Sequence, residues 1–406
     1  MKKVILHCDL NCFFASVEML HHPELRNIPM AVAGDPDHRH GIILAKNVPA
    51  KRKGVKTAET IGEALRKCPE LTVLKPDYDS YLYFSEKVRD LYYEYTDRIE
   101  PFGIDECWLD ISASISYFGS VDRIVKELLY RVKEEIGLTL SIGISFTRVY
   151  AKLGSDLAKE DAFCYIDSLD DIKDLPAASL LGVGYHTGEK LKAYGLYTIG
   201  DVAKKPLPYL KEILGKWGES LYCYVNGYES APIPKYREQI EEVKSVGNSM
   251  TSIRDLQNME DFKIVLSVLC DSVSARVREK KLFFRTVHLQ VRTKKLEIRT
   301  MQMRLKENSD LGKDIFNCAV ALFEKNCDFS VPFRSIGVSV SSLSYQKDGL
   351  QTSLFEKEGY SLKQKKEETA IDTIRKRFGR FSVSSLRVLE DSGLSSFIPR
   401  NDKENV

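Results

Sequence analysis

Two short acidic stretches, at residues 4–11 and 101–112, carry the side chains whose types and spacing could do chemistry. In each, a β-rich apolar run delivers a carboxylate to a strand end or a tight turn: Asp9 in the first, Asp105 and Glu106 in the second. An extended backbone would point Asp105 and Glu106 to opposite faces, whereas a turn at Gly103 could bring them together with Asp9. Clustered carboxylates repel one another unless a cation lies between them, and Mg²⁺ prefers such oxygen ligands. The stretches therefore indicate a two-metal phosphoryl-transfer site, with solvated or capping acids as the alternative.

The segments between these acids predict a small antiparallel sheet with helices on one face. Residues 3–9 have the pattern of a buried strand, and 13–20 have helical character after Asn11, a good cap. An aromatic-rich helix over 80–97 precedes a strand, a turn and a strand across 99–111. Apolar residues then recur at helical spacing from 121 to 136, before a strand at 139–145.

Composition sets limits on the class of protein. A length of 406 residues predicts about two to four domains. The formal net charge of +2 gives no indication of a nucleic-acid partner. The nine cysteines are scattered without a CxxC motif, which predicts reduced thiols in a cytoplasmic protein. The N-terminal apolar run is too short for a signal peptide, and no run approaches a membrane span.

Positive charge is concentrated in one region of the C-terminal half. Between 276 and 306, eleven Lys and Arg residues stand against two acids, which is the electrostatic footprint of a nucleic-acid partner, with a solvated basic face as the alternative. The apolar patterns from 243 to 343 predict a βαββαβ order, with strands 285–293 and 297–305 alternating between an apolar and a polar face.

A helical segment at 167–235 contains Gly182 and Gly184 between two helical patterns. Glycines there would let the backbone N–H groups approach DNA phosphates without reading sequence, with a plain helical hairpin as the alternative. Residues 233–242 have the composition of a linker. Beyond 345 the chain is polar; 363–378 could form a short basic helix, and 382–406 are expected to be loosely ordered.

Several of these motifs together resemble the Y-family, translesion DNA polymerases, and within them the bacterial DinB/UmuC group. The resemblance starts with residues 9–18 (Asp-Leu-Asn-Cys-Phe-Phe-Ala-Ser-Val-Glu) and 104–110 (Ile-Asp-Glu-Cys-Trp-Leu-Asp). It continues in order through 143–145 (Gly-Ile-Ser) and 151–159 (Ala-Lys-Leu-Gly-Ser-Asp-Leu-Ala-Lys), then into the thumb and the C-terminal region.

The resemblance implies an α+β, multidomain right-hand polymerase. The palm would comprise residues 1–11 and 78–166, the small fingers 12–77, and the helical thumb 167–235. A linker at 236–243 would lead to a βαββαβ little finger at 244–345 and a C-terminal tail at 346–406. A monomer with no membrane attachment is expected.

The resemblance also assigns site residues. Asp9, Asp105, Glu106 and the Leu10 carbonyl would hold two Mg²⁺ ions, and the three acids would be catalytic. Cys12, Phe13, Phe14, Lys51 and Lys159 would bind the dNTP, with Phe14 as the steric gate against a 2′-hydroxyl. Val48 and Lys51 stand where the family usually has Tyr and Arg, so the bidentate guanidinium contact is lost and Arg52 could substitute.

Two further binding surfaces follow from the resemblance. Primer-template DNA would contact one set of residues in the thumb and little finger: Gly182, Gly184, Lys190, Arg285, Arg292, Lys294, Lys295, Arg299 and Arg304. Residues 351–355 (Gln-Thr-Ser-Leu-Phe) resemble the peptide that binds the β subunit sliding clamp, through Gln351, Leu354 and Phe355. The alternatives are a non-catalytic DNA-repair adaptor bound to the clamp, a cyclase-type nucleotide enzyme and a structural DNA-binding module.

Overall fold

The computed structural model describes residues 3–34, 41–229, 231–238, 243–345, 358–379, 382–389 and 391–395. Described residues up to 238 form one unit, and those from 243 onwards form a second. In the first unit the strands and helices are, in chain order, β1 (Ile5–Leu10), α1 (Phe13–His21), β2 (Met30–Ala33), β3 (Ile43–Lys46), α2 (Val48–Arg52), α3 (Ile61–Lys67), β4 (Thr72–Leu74), α4 (Tyr78–Tyr93), β5 (Ile99–Phe102), β6 (Glu106–Asp110), α5 (Ile115–Phe118), α6 (Val121–Arg131), β7 (Leu140–Ser145), α7 (Arg148–Leu157), β8 (Ala162–Tyr165), α8 (Tyr185–Ala193), α9 (Ile199–Ala203), α10 (Leu207–Leu214) and α11 (Lys216–Val225).

A five-stranded sheet in the order β5-β6-β1-β7-β8 carries the two acidic stretches. The central strand β1 pairs antiparallel with β6 on one side and with β7 on the other. Apolar residues of α1, α4 and α6 pack with this sheet in the largest buried cluster of the first unit, which includes Tyr81 and Leu128. The predicted layer of helices on a small sheet is therefore confirmed, and it fixes the strand ends that carry the acids.

Helix α7 packs unusually close to the sheet because two glycines face each other. A Cβ atom added to Gly143 of β7 would lie 1.8 Å from the carbonyl oxygen of Ala151, and one added to Gly154 would lie 3.0 Å from the Cα of Gly143. Only glycine permits this approach of backbone to backbone. The position of α7 against β7 is consequently set by main-chain contact.

The segment predicted as fingers forms a second, three-stranded sheet in the order β3-β2-β4. Helix α1 was predicted to belong to this segment, but its buried residues, including Phe13 and Val17, pack into the core of the five-stranded sheet. The first turn of α1 is therefore anchored to the same body as β1.

Helices α8 to α11 enclose a separate core of aliphatic side chains, as the helical pattern of 167–235 predicts. Gly182 precedes α8 with φ +83°, and an added Cβ would meet the ring of Trp217 at 2.5 Å. Gly184, the N-cap of α8, has no atom within 4 Å of an added Cβ. The two glycines thus differ: the first is required by packing, and the second borders open space.

Part of the predicted linker is bound to the first unit. Ile233 is fully buried in a cluster with Ile5 and Trp108, and its carbonyl accepts a hydrogen bond from Arg98 at 3.0 Å. Arg237 lies over the ring of Tyr93 at 5.5 Å. Assigning 233–242 as a linker from composition was therefore wrong for residues 233–238, because the side chains of Ile233 and Arg237 dock them on the first unit.

The second unit has the predicted βαββαβ order. Its sheet has the order β11-β10-β12-β9, with every neighbouring pair antiparallel. The apolar faces of the strands and of the two long helices form one buried core. The elements are β9 (Ser245–Leu256), α12 (Met259–Glu279), β10 (Phe284–Thr293), β11 (Ile298–Ser309), α13 (Gly312–Asn326), β12 (Phe333–Ser341), α14 (Glu358–Phe378), α15 (Leu386–Leu389) and α16 (Ser392–Ser395).

The C-terminal segment packs onto this second unit. Glu368 and Asp372 of α14 both pair with Arg278 of α12, and the second contact measures 2.7 Å. Leu394 of α16 is fully buried in the core. The prediction that 382–406 are loosely ordered is therefore wrong for the described residues 391–395, because Leu394 completes an apolar surface that the βαββαβ core leaves open.

No helix within the described ranges is long and apolar enough to cross a membrane. The nine cysteines all lie in these ranges and are free thiols.

Candidate active site

The strand register places the first two carboxylates side by side. Asp9 of β1 is the direct antiparallel partner of Glu106 of β6, and directly opposed residues point to the same face of a sheet. His7, two residues before Asp9, shares that face and is fully buried, with Nε2 3.2 Å from Oε2 of Glu106. Its Nδ1 lies 2.7 Å from the hydroxyl of Ser155 on α7. The sheet therefore brings together two acids that are remote in sequence.

Asp105 lies in a turn that two side chains of α4 fix in place. Gly103 adopts φ +80°, as the predicted turn requires. Arg89 donates a 2.7 Å hydrogen bond to the Gly103 carbonyl, and Ser85 donates one to the carbonyl of Ile104. The backbone N–H of Leu10 donates to the Asp105 carbonyl at 3.1 Å, which ties the turn to the end of β1.

A lysine ammonium lies between the acids. Nζ of Lys152 is 3.3 Å from Oδ2 of Asp9, 3.2 Å from Oε1 of Glu106 and 2.9 Å from Oδ1 of Asp156. No three His, Cys, Asp or Glu side chains in the described ranges are close enough together to hold a metal ion. The expected cage of three acids is thus not formed as predicted; the ammonium occupies the position between two of them.

Burial and mutual repulsion set the pKa values of these carboxyl groups. Burial, followed by the charges of Asp9 and Glu106, raises the pKa of Asp105 to about 6. Burial, followed by the charge of Glu106, also raises the pKa of Asp9. Burial acts in the same direction on Glu106, but the hydrogen bond from His7 and the charge of Lys152 outweigh it, so its pKa is lowered. Lys152 therefore does not fully offset burial and repulsion at Asp9 and Asp105.

A cavity of about 250 Å³ opens beside the acids. Cys12 and Lys51, which the resemblance assigns to the nucleotide, line it together with Asp9, Leu10 and Val48, whereas Phe14 does not. The lining does not include Arg52, which favours Lys51 as the residue that faces this space.

The start of α1 offers backbone donors to the cavity. Cys12 is the N-cap, in the left-handed region with φ 49°, and no side chain caps the helix. The prediction that Asn11 caps α1 is therefore wrong: its Nδ2 donates to Ser141 at 2.8 Å, and its Oδ1 accepts from the N–H of Asp161 at 3.2 Å. Uncapped N–H groups at a helix start can bind phosphate oxygens.

Lys159 was predicted to lie on the helix that carries Asp156. Helix α7 ends at Leu157, so Lys159 follows it in an exposed loop outside the lining of the cavity. Its backbone carbonyl accepts a hydrogen bond from Ser141 at 3.1 Å. The Asn11–Ser141 pair consequently positions this loop near the end of β1.

The two phenylalanines of α1 have different surroundings. Phe13 is 3 % exposed and belongs to the core, so its side chain does not face the cavity. Phe14 is half-buried, and its ring stacks on Tyr81 with centroids 4.2 Å apart and planes 10° apart. The Tyr81 hydroxyl donates to the buried carboxylate of Glu18. The orientation of the Phe14 ring is thus fixed by Tyr81, which is itself held by its hydrogen bond to Glu18.

The predicted DNA-contacting arginines of the second unit divide between two faces. Arg292 and Arg304 lie on the face opposite the core, since Arg304 pairs with Thr286 and the alternate residues 287, 289 and 291 are buried. Arg299 pairs with buried Val291 on the helix side, and its Nη1 lies 3.4 Å from the Asn326 carbonyl.

The other predicted cations lie at the edges of this sheet or in the first unit. Arg285 donates to the Lys306 carbonyl at 2.9 Å. Lys294 and Lys295 are exposed in the β10–β11 turn, and Lys190 is exposed on α8. The predicted cations of the second unit therefore do not share one face of its sheet. Gln351, Leu354 and Phe355 lie outside the described residues.

Sequence reasoning assigned no role to several residues that the structure places at the site. Lys152 was noted only as part of a motif, although its i,i+4 spacing from Asp156 was a signal. Asn47, 1 % exposed, caps α2 by accepting from the N–H of Ala50 and donates to the Ile28 carbonyl at 2.8 Å. An Asn two residues before a proline is a helix-start signal that could have found it.

Comparison with known families identifies three matched regions. Residues 8–156 match the impB/mucB/samB family, and residues 243–354 match the C-terminal domain of that family. Residues 173–229 match a thumb domain described for DNA polymerase-iota.

Curated relatives are similar over nearly the whole chain. A DNA polymerase IV of Acetivibrio thermocellus is 43 % identical over 398 residues, which cover 97 % of this chain and 100 % of the relative. A DNA polymerase IV of Alkaliphilus oremlandii is 34 % identical and covers 95 % and 98 % of the two chains. Among solved structures, a Y-family DNA polymerase chimera of Dbh and Dpo4 has a TM-score of 0.73 at 20 % identity, covering 84 % of this chain and 100 % of its own.

Proposed function

Since the chain belongs to the impB/mucB/samB family of Y-family DNA polymerases, together with the DNA polymerase IV enzymes, we propose that it extends a primer past damaged template positions at the cavity beside Asp9. The protein is a template-directed DNA polymerase, and primer-template DNA and dNTP are its substrates. One observation supports the location above all others: Asp9 and Glu106 are directly opposed on neighbouring strands, Asp105 is in the adjoining turn, and Lys51 faces the same cavity.

Two Mg²⁺ ions fit the donor chemistry of this site. Asp9, Asp105, Glu106 and the Leu10 carbonyl would hold them, because every donor is an oxygen and because burial, followed by the charges of neighbouring carboxylates, raises the pKa values of Asp9 and Asp105. When bound, the ions would supply Lewis-acid stabilisation to the primer 3′-hydroxyl and the α-phosphate. His7 and the Arg89–Gly103 contact would orient the carboxylates.

Residues of the cavity, together with Phe14 and Lys159 outside its lining, would bind and select the nucleotide. The uncapped N–H groups after Cys12 and the ammonium of Lys51 would contact the triphosphate, with Lys159 approaching from its loop. Phe14, fixed by Tyr81, would lie under the sugar and exclude a 2′-hydroxyl. We expect weaker phosphate affinity than with an arginine at position 51, since an ammonium makes no bidentate contact.

Duplex DNA would bind through the backbone near Gly184 and through the open face of the β10–β11 pair, which carries Arg292 and Arg304. Binding to a sliding clamp through residues 351–355 stays a prediction from sequence. Deleting these five residues should abolish pull-down by the clamp and leave primer extension without the clamp unchanged.

The central test is single-nucleotide primer extension on an intact template and on one with an abasic site. We expect the wild type to extend both with Mg²⁺, and Asp105→Ala to extend neither. The exposed Asp79, in the first turn of α4, provides a matched control, and Asp79→Ala should extend normally. Equal background extension by the wild type and Asp105→Ala would instead support the non-catalytic adaptor.

A further inference from the structure

Lys152 contacts carboxylates that the proposed function assigns to metal ions. Its ammonium lies 3.3 Å or less from both Asp9 and Glu106, and only 13 % of the side chain is exposed. A divalent ion bound to the same two oxygens would lie about 2.1 Å from each, inside the space that the ammonium fills. Two cations cannot share that position, because their repulsion at such a separation exceeds what two carboxylates compensate.

The structure also provides a second position for the ammonium. Asp156, one helical turn further along α7, is already 2.9 Å from Nζ, and its side chain is 47 % exposed. Asp156 is therefore more exposed than Asp9 and Glu106, whose side chains are 27 % and 19 % exposed. A rotation of the Lys152 side chain would therefore keep this one ion pair and release the two buried ones.

We propose that Lys152 is a resident counter-ion of the metal-free site, which a divalent cation displaces toward Asp156. Lys152 neutralises Asp9 and Glu106 until the metal binds, and Asp156 then retains the released ammonium. Metal binding and displacement of Lys152 are thus a single coupled equilibrium. This inference rests on the proposed metal site.

The coupling predicts that substitutions of Lys152 and of Asp156 have opposite effects on metal affinity. Replacing Lys152 with Met removes the competing cation, so metal affinity should increase about tenfold, within the usual range for coupled equilibria. Replacing Asp156 with Asn removes the second position, holds Lys152 on the acids and should weaken metal binding severalfold. Lys133, whose ammonium pairs with Asp161 at 2.6 Å on the surface, provides the matched control, and Lys133→Met should bind metal as the wild type does.

The experiment measures Mn²⁺ binding to the full-length protein, without DNA or nucleotide, from the electron paramagnetic resonance signal of free Mn²⁺. Unchanged or weaker Mn²⁺ binding by Lys152→Met, or unchanged binding by Asp156→Asn, would overturn the inference. Absence of Mn²⁺ binding in every variant, including wild type with DNA and nucleotide added, would contradict the proposed metal site instead.

A second measurement, the unfolding temperature, is needed because Lys152→Met leaves Asp9 and Glu106 without their cation and so destabilises the metal-free protein. Mn²⁺ should raise the unfolding temperature of Lys152→Met more than that of the wild type. An equal rise in both proteins would also overturn the inference. If Lys152→Met does not fold even with Mn²⁺, the inference is tested by Mn²⁺ binding to Asp156→Asn alone, because this variant keeps Asp9, Glu106 and Lys152.

Discussion

Replacing Asp105 with Asn should stabilise the metal-free protein while it abolishes polymerase activity. Folding raises the pKa of this carboxyl from 3.8 to about 6, chiefly by burial and then by the charges of Asp9 and Glu106. Holding it ionised at neutral pH therefore costs the folded state ~3 kcal/mol, at 1.36 kcal/mol for each tenfold change in proton affinity. The neutral amide avoids most of this cost with nearly the same shape, so the unfolding temperature of the first unit should rise by about 5–10 °C.

The pH dependence of this effect has a defined sign. The folded protein binds the Asp105 proton more tightly than the unfolded chain, so the group favours folding below pH 3.8 and loses that contribution as pH rises through about 6. The advantage of Asp105→Asn should consequently be full at pH 7.5 and disappear toward pH 4.

Thermal unfolding in a chelator at several pH values, followed by circular dichroism, measures both predictions. Asp79→Asn is the control, and this exposed change should alter stability by less than about 1 kcal/mol. If Asp105→Asn is no more stable than the wild type at pH 7.5, or if its advantage is the same at pH 4, then buried repulsion does not act on Asp105 as described.

Three further predictions concern the sugar, the thumb and the open sheet face. Phe14→Ala should raise incorporation of ribonucleotides in primer extension, because the ring fixed by Tyr81 is removed; unchanged sugar discrimination would remove the gate assignment. Gly184→Ala should weaken DNA binding without altering thumb stability, whereas Gly182→Ala should lower the unfolding temperature because its Cβ would meet Trp217; equal stability of both variants would contradict this distinction. Arg304→Ala should flatten the salt dependence of DNA binding by ~0.9 per lost phosphate contact, and Arg299→Ala, on the helix side, should not.

Much of the site was predictable because its acids are in locally encoded elements. Apolar alternation predicts the strands, and Gly103 predicts the turn that precedes Glu106. The direct opposition of Asp9 and Glu106 depends on the register between β1 and β6, which no local sequence pattern predicts. The turn at Gly103 predicted that the acids converge, but the pairing of Asp9 with Glu106 appears only in the structure.

Two of the incorrect predictions share a physical cause, which is contact between segments distant in sequence. Asn11 has the composition of a cap but bonds to Ser141 of β7 and to the loop at Asp161. Leu394 is one of several apolar residues in the C-terminal tail, and only the three-dimensional core explains its burial. Arg299 and Arg304 belong to one basic stretch, yet an odd sequence separation in a strand places them on opposite faces.

The close contact of Gly143 with Gly154 has a consequence for how quickly the catalytic centre can respond. Because the main chains of α7 and β7 touch, the helix cannot move closer to the sheet, and we expect adjustment at position 152 to come from rotation about side-chain bonds. Such rotations take picoseconds to nanoseconds, far less than domain movements. We therefore expect displacement of Lys152 to be faster than a domain movement, whereas alanine at position 143 would force α7 away from β7, because its Cβ would lie 1.8 Å from the Ala151 carbonyl oxygen.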